Sequence, residues 1–124
     1  KGFSEEQKSI YDIVLNAQVK SIEGIKAGMS CKSIDSIARN HITQAGYGKF
    51  FDHGLGHSLG LEIHENPRFS KVSEDILEEN CVMTVEPGIY VPDIGGVRIE
   101  DDIIVTKNGA EILNKTSKEF QIIS

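Results

Sequence analysis

Apolar positions at the start of the chain follow a helical period. Tyr11, Val14, Leu15, Val19, Ile22 and Ile25 recur every three or four residues and predict an amphipathic helix. Ser4-Glu5-Glu6-Gln7 marks its beginning as a capping box, in which Ser4 and Gln7 satisfy each other's free backbone N–H groups. Gly24 and Gly28 weaken the helix and predict its end. A second helix is expected after Ser30, with Ile34, Ile37, Ala38 and Ile42 facing inward and Gly46 as its stop. Near Lys49 the period changes. Residues 50–65, rich in Gly and His, read as strand and loop, and Pro67 interrupts whatever runs there. Residues 81–90 read as one half-buried strand and 96–106 as a second, with 91–96 closing a hairpin between them. Asn108-Gly109 is a turn signal leading into a short strand at 111–113. This order predicts one α+β domain over residues 1–124, with two N-terminal helices packed on one face of an antiparallel sheet.

Composition narrows the function classes. At 124 residues, with 39% hydrophobic and 26% charged side chains, the chain suits a single globular core. No apolar run approaches the roughly 20 residues that cross a bilayer, so no membrane partner is expected. Thirteen basic against nineteen acidic side chains leave a net charge of −6. Nucleic acid is therefore not expected as a partner, because binding it takes a basic face. Two cysteines, Cys31 and Cys81, are too few to staple a domain and predict free thiols in a reducing, cytoplasmic setting. Both read as packed or idle, and His41 as a surface residue of the second helix.

The candidate chemistry lies in three segments. His53-Gly-Leu-Gly-His57-Ser-Leu-Gly-Leu-Glu-Ile-His64 holds three of the four histidines, and its glycines let backbone approach a ligand closely. Glu86 stands in Met83-Thr-Val-Glu-Pro-Gly88 and Glu100 in Gly96-Val-Arg-Ile-Glu-Asp-Asp102, each bracketed by apolar neighbours. Both glutamates can sit on the solvated face of an antiparallel sheet. If the hairpin pairs their strands, however, they fall close together on one face, where like charges repel and a dication relieves them. Arg98, two residues from Glu100, points to that same face and can anchor a substrate. One imidazole with two carboxylates suits Mn, Co, Zn or Fe. Three protein ligands with open positions describe a catalytic site rather than a sealed one.

The segments His53-Gly-Leu-Gly-His57-Ser-Leu-Gly60, Thr84-Val-Glu86-Pro-Gly and Gly96-Val-Arg98-Ile-Glu100-Asp-Asp, in that order and spacing, resemble the Xaa-Pro peptidases. These are the prolidases and aminopeptidases P of the pita-bread fold. The likeness extends to Ser4-Glu-Glu-Gln7 and to Thr116-Ser-Lys-Glu-Phe120. It implies that the chain is the second, C-terminal half of that fold. It also implies a dinuclear centre with His57 and Glu86 on one ion and Glu100 bridging both. Two divalent ions are implied, manganese first, with cobalt, zinc or iron as alternatives. His53 and His64 would line the substrate site, His64 beside the scissile carbonyl, and Arg98 would face the substrate's C-terminal side. The substrates implied are peptides with proline in second position.

The family's remaining ligands are aspartates placed upstream of the first helix, and Asp12, Asp35 and Asp52 do not have their spacing. The 124 residues taken alone are thus expected to be inactive, metal-free and prone to pair as a homodimer through the face the other half would cover. Methionine aminopeptidases and non-catalytic pita-bread proteins are the alternatives. Val97-Arg-Ile-Glu-Asp-Asp102 and Gly88-Ile-Tyr90 look more like the Xaa-Pro branch.

Overall fold

The computed structural model describes residues 4–59 and 67–113. Helix α1 spans Glu5–Gly24 and α2 spans Cys31–Gln44, each opened by the serine expected. Ser4 accepts from the Gln7 N–H at 3.0 Å while Gln7 Oε1 accepts from the Ser4 N–H at 3.0 Å, closing the capping box. A short 3-10 turn, Gly48–Phe50, follows. Seven short strands follow among the described residues: β1 Gly56–His57, β2 Arg68–Phe69, β3 Val82–Val85, β4 Gly88–Val91, β5 Gly95–Arg98, β6 Asp101–Val105 and β7 Ala110–Ile112. All their pairings are antiparallel.

Two predicted strands are each broken once. The 81–90 strand divides into β3 and β4 at Glu86-Pro87, and the 96–106 strand into β5 and β6 at Ile99-Glu100. The register survives the break. Val85 pairs with Asp101 in one ladder and Gly88 with Arg98 in the other, so Glu86 falls opposite Glu100 between them. The result is one long two-stranded ribbon with a gap in its hydrogen bonding. Pro87 contributes to the gap, since it has no N–H to donate.

Alternation sorts the ribbon into two faces. Met83, Val85, Ile89, Val97, Ile99, Ile103 and Val105 turn to the core and are buried. Thr84, Glu86, Gly88 and Tyr90, facing Asp102, Glu100, Arg98 and Gly96, take the other side. The helices pack on the core side through Ile10, Val14, Ala17, Ile34, Ala38 and Ile42. Within α1 the buried stripe is rotated from the expected one. Val19 is 36% exposed, whereas Gln18 and Ser21 are fully buried. The Ser21 hydroxyl satisfies itself on the Ala17 carbonyl at 2.8 Å.

The β6–β7 turn also differs from expectation. Val105 pairs with Ala110, and the Thr106 N–H donates to the Gly109 carbonyl, so the loop has four residues rather than two.

Candidate active site

Backbone contacts bring the histidine segment to the ribbon. Ser58 bridges Met83, and the Glu86 N–H donates to the Leu55 carbonyl at 2.7 Å, which sets His57 beside Thr84. The approach is close enough that a Cβ on Gly56 would collide with the Thr84 carbonyl. Only glycine allows it.

Thr84, 1% exposed, ties His57 and Glu86 together. Its hydroxyl accepts from the His57 N–H at 3.0 Å and donates to Glu86 Oε2 at 2.8 Å. His57 Nε2 lies 3.5 Å from the same carboxylate oxygen. His57 Nδ1 lies 3.1 Å from the Ser58 carbonyl, which can only accept, so Nδ1 carries the proton. Nε2, the nitrogen that a ring tethered through Nδ1 presents to a metal, is the one that faces the carboxylate.

Glu100 stands across the ribbon gap from Glu86. Partial desolvation, and after it the charges of Glu86 and Asp102, raise its carboxyl above the ordinary glutamate range; Arg98 and His57 pull the other way. Among the described residues, no three His, Cys, Asp or Glu side chains converge tightly enough to hold an ion as they stand. His57 and Glu86 are brought together, and Glu100 is their neighbour across the gap.

A cleft of about 310 Å³ opens over this pair, walled by His53, Gly54, Gly56, His57, Arg68, Phe69, Ser70, Glu86 and Arg98. The His53 ring is held at both nitrogens. Nδ1 donates to the Gly54 carbonyl at 2.7 Å, and Nε2 accepts from the Tyr90 hydroxyl at 2.9 Å. Tyr90 in turn touches Arg98, which sits opposite Gly88. A Cβ on Gly88 would press on the Tyr90 hydroxyl, so glycine there makes room for it. Burial raises the Tyr90 phenol, against the opposing pull of Arg98, and keeps it a neutral donor to His53. His64 lies outside the described residues, as does the 116–120 segment.

Several participants carried no role in the sequence reading. Tyr90 could have been found by parity, since Glu86, Gly88 and Tyr90 share one face. Arg68 lines the cleft without any motif to announce it. Asp35, buried in α2, pairs with Arg39 through Nε–Oδ2 at 2.8 Å and Nη2–Oδ1 at 3.2 Å. Arg39 also donates to the carbonyls of Phe51 and His53, each at 2.9 Å, and Asp35 accepts from the Leu55 N–H at 3.0 Å. This pair fixes the loop that delivers His53 to the cleft. Its only sequence signal was the four-residue spacing of opposite charges.

Comparison with known proteins gives a consistent result. The signature of metallopeptidase family M24 matches residues 1–107. The chain is 57% identical over 117 residues to the Xaa-Pro dipeptidase of Pyrococcus horikoshii, covering 94% of this chain and 33% of that protein. It superposes on an Xaa-Pro dipeptidase from Bacillus anthracis with a TM-score of 0.89 at 52% identity, covering 94% of this chain and 33% of the other. For the prolidase from Pyrococcus furiosus the TM-score is 0.87 at 54% identity, covering 92% and 34%. The chain spans about a third of the length of these relatives.

Proposed function

The chain belongs to metallopeptidase family M24, and on that premise we propose that the protein carrying it is a metal-dependent peptidase cleaving Xaa-Pro bonds. Over the part of their length that it covers, its fold is that of the pita-bread Xaa-Pro peptidases, two helices on antiparallel ladders. Because that part is about a third, the activity belongs to the whole protein in this reading.

One observation carries the proposal: His57 Nε2 and Glu86 Oε2 meet at 3.5 Å in an open cleft, with the other imidazole nitrogen tied to the Ser58 carbonyl. The donor set fits a divalent ion of the borderline class, combining one tethered imidazole, one carboxylate held by Thr84 and a second carboxylate across the gap. His57, Glu86 and Glu100 would hold it, with manganese before cobalt, zinc or iron. Such ions supply a polarised carbonyl and a water acidic enough to attack it.

The chain's own residues do the rest. Thr84 occupies Oε2 of Glu86, and no hydrogen bond among the described residues engages Oε1, the oxygen that would ligate. Tyr90 and the Gly54 carbonyl hold His53 as a fixed cleft wall, and Arg98 offers its guanidinium to a substrate carboxylate. His64 keeps the carbonyl-facing role that the family likeness implies. A homodimer is supported by Ile112 and Leu113, 42% and 46% exposed at the β7 edge. A cytoplasmic location is supported by the free thiols of Cys31 and Cys81.

The test is hydrolysis by the whole protein, stripped of metal and reloaded with each candidate ion in turn. Xaa-Pro dipeptides should be cut and Xaa-Ala or Met-Ala peptides should not. No cleavage with any ion, or a preference for Met-Ala, overturns the proposal.

A further inference from the structure

Gln18 lies in the middle of α1 with no exposed surface, although a buried amide is costly unless it is bonded. Its Nε2 stands 3.3 Å from the Val85 carbonyl and 3.5 Å from the Ile99 carbonyl. Those carbonyls belong to the residues immediately before Glu86 and Glu100. Gln18 Oε1 has no hydrogen-bond partner among the described residues. Turned the other way, the amide would set its oxygen against two carbonyl oxygens, so the strands dictate its orientation. A leucine of similar volume would fill the same space and leave no orphan acceptor. Packing alone therefore does not account for the amide.

The place it occupies is the gap in the ribbon. The Glu86 N–H has gone to Leu55, and the Ile99 N–H bonds the Pro87 carbonyl at 3.3 Å, but Pro87 has no N–H to return to the Ile99 carbonyl, so the rung there is only half made. One amide NH2 carries two hydrogens and can offer one to each strand. We propose that Gln18 is a positioning residue, a strut from α1 that fixes the separation of the two strands at the gap and hence the spacing of the Glu86 and Glu100 carboxylates. This rests on the reading of those glutamates as ion ligands. In ion sites, partners one shell removed from the ligands commonly change affinity 10- to 100-fold.

The experiment compares the whole protein with its Gln18→Leu and Gln18→Met variants, which keep the volume and remove both donors. The first readout is amide exchange at Ile99, whose N–H donates to the Pro87 carbonyl at 3.3 Å across the gap. It should accelerate by about tenfold or more, while the Met83 and Ile103 amides in the adjoining ladder keep their rates. The second is Mn(II) affinity from the electron paramagnetic resonance of the free ion, which should fall about 10- to 100-fold. Unchanged Ile99 exchange and unchanged Mn(II) affinity in both variants would overturn the strut, whatever happens to Tm. A uniform rise of exchange through all ladders would overturn it as well, since that reports general destabilisation. If the parent protein binds no divalent ion, the functional reading fails instead, and Ile99 exchange alone decides the strut.

Discussion

Glu86 and Glu100 face each other on a rung that neither adjoining ladder bonds, two carboxylates on the solvent side of a ribbon whose other side is core. Opposed like charges destabilise a sheet pair unless a cation joins them. Replacing Glu100 by Gln should leave the metal-free protein no less stable than the parent. The parent should gain about 2.7 kcal/mol when Mn(II) is supplied at a hundredfold excess over its Kd, and the Glu100→Gln protein should gain little. Thermal unfolding with and without chelator measures both. An equal Mn(II) gain in the two proteins would refute the ligand role.

Thr84→Val keeps the side-chain shape and removes both bonds of the hydroxyl, leaving the His57 N–H without its acceptor. We expect a stability loss of about 1–3 kcal/mol by urea titration. A 10- to 100-fold weaker ion affinity should accompany it, since Glu86 loses the donor that orients it. Retained affinity with lowered stability would confine Thr84 to packing.

Gly56→Ala places a methyl group against the backbone carbonyl of Thr84, where no rotamer can yield. Separating β1 from β3 should cost about 1–3 kcal/mol or more. Gly109→Ala meets only the Thr106 hydroxyl at 3.9 Å and should change stability by no more than about 0.5 kcal/mol. Equal effects at the two positions would contradict the close approach.

Much of the fold was legible because its signals are local. The capping box at Ser4, the Ser30 cap and the hairpin at 91–95 each depend on residues within a few positions of one another. The gap at Glu86-Pro87 was not. The apolar alternation runs through it unchanged, because register and parity both survive, so the pattern reads as one strand. Pro87 was the available clue. Gln18 left no trace at all, since a glutamine in an amphipathic helix reads as solvent face until a strand is seen against it. The pairing of Glu86 with Glu100 was expected from a hairpin, and the hairpin does set it. The placement of His57 depended on Leu55 meeting Glu86 and Ser58 meeting Met83, contacts far apart along the chain that periodicity does not encode.

Asp35→Ala removes one partner of a pair whose acid is fully buried, leaving Arg39 uncompensated over the Phe51 ring. A loss of about 3–5 kcal/mol is expected by chemical denaturation. The His53 imidazole resonances should shift as its loop comes free, and unchanged His53 resonances would argue against the latch.

Burial pushes the Cys31 thiol up to about 12, with Asp75 and Cys81 adding to the effect. The unfolded chain ionises its thiols near the ordinary value of 9.0, so this contribution to stability is complete below that pH. It is lost as pH rises from about 9 toward 12. Tyr47 and Tyr90, also raised chiefly by burial, steepen the same decline. Denaturation midpoints measured across this range should fall, and less steeply in Cys31→Ala. A native protein that reacts rapidly at Cys31 with a thiol reagent at pH 8 would contradict its burial.

The two-faced ribbon also bears on which changes in chain length the molecule can absorb. Lengthening the tip at Pro92-Asp93 turns neither arm over, and disturbs at most the bond from Gln7 Nε2 to the Ile94 carbonyl at 2.8 Å. One extra residue inside either arm, between the tip and the glutamates, would turn every side chain beyond it to the opposite surface. It would bring Ile99 or Pro87 to the cleft and drive a carboxylate toward the helices. Insertions within the arms are thus tolerable only in pairs, whereas the tip is free to vary one residue at a time.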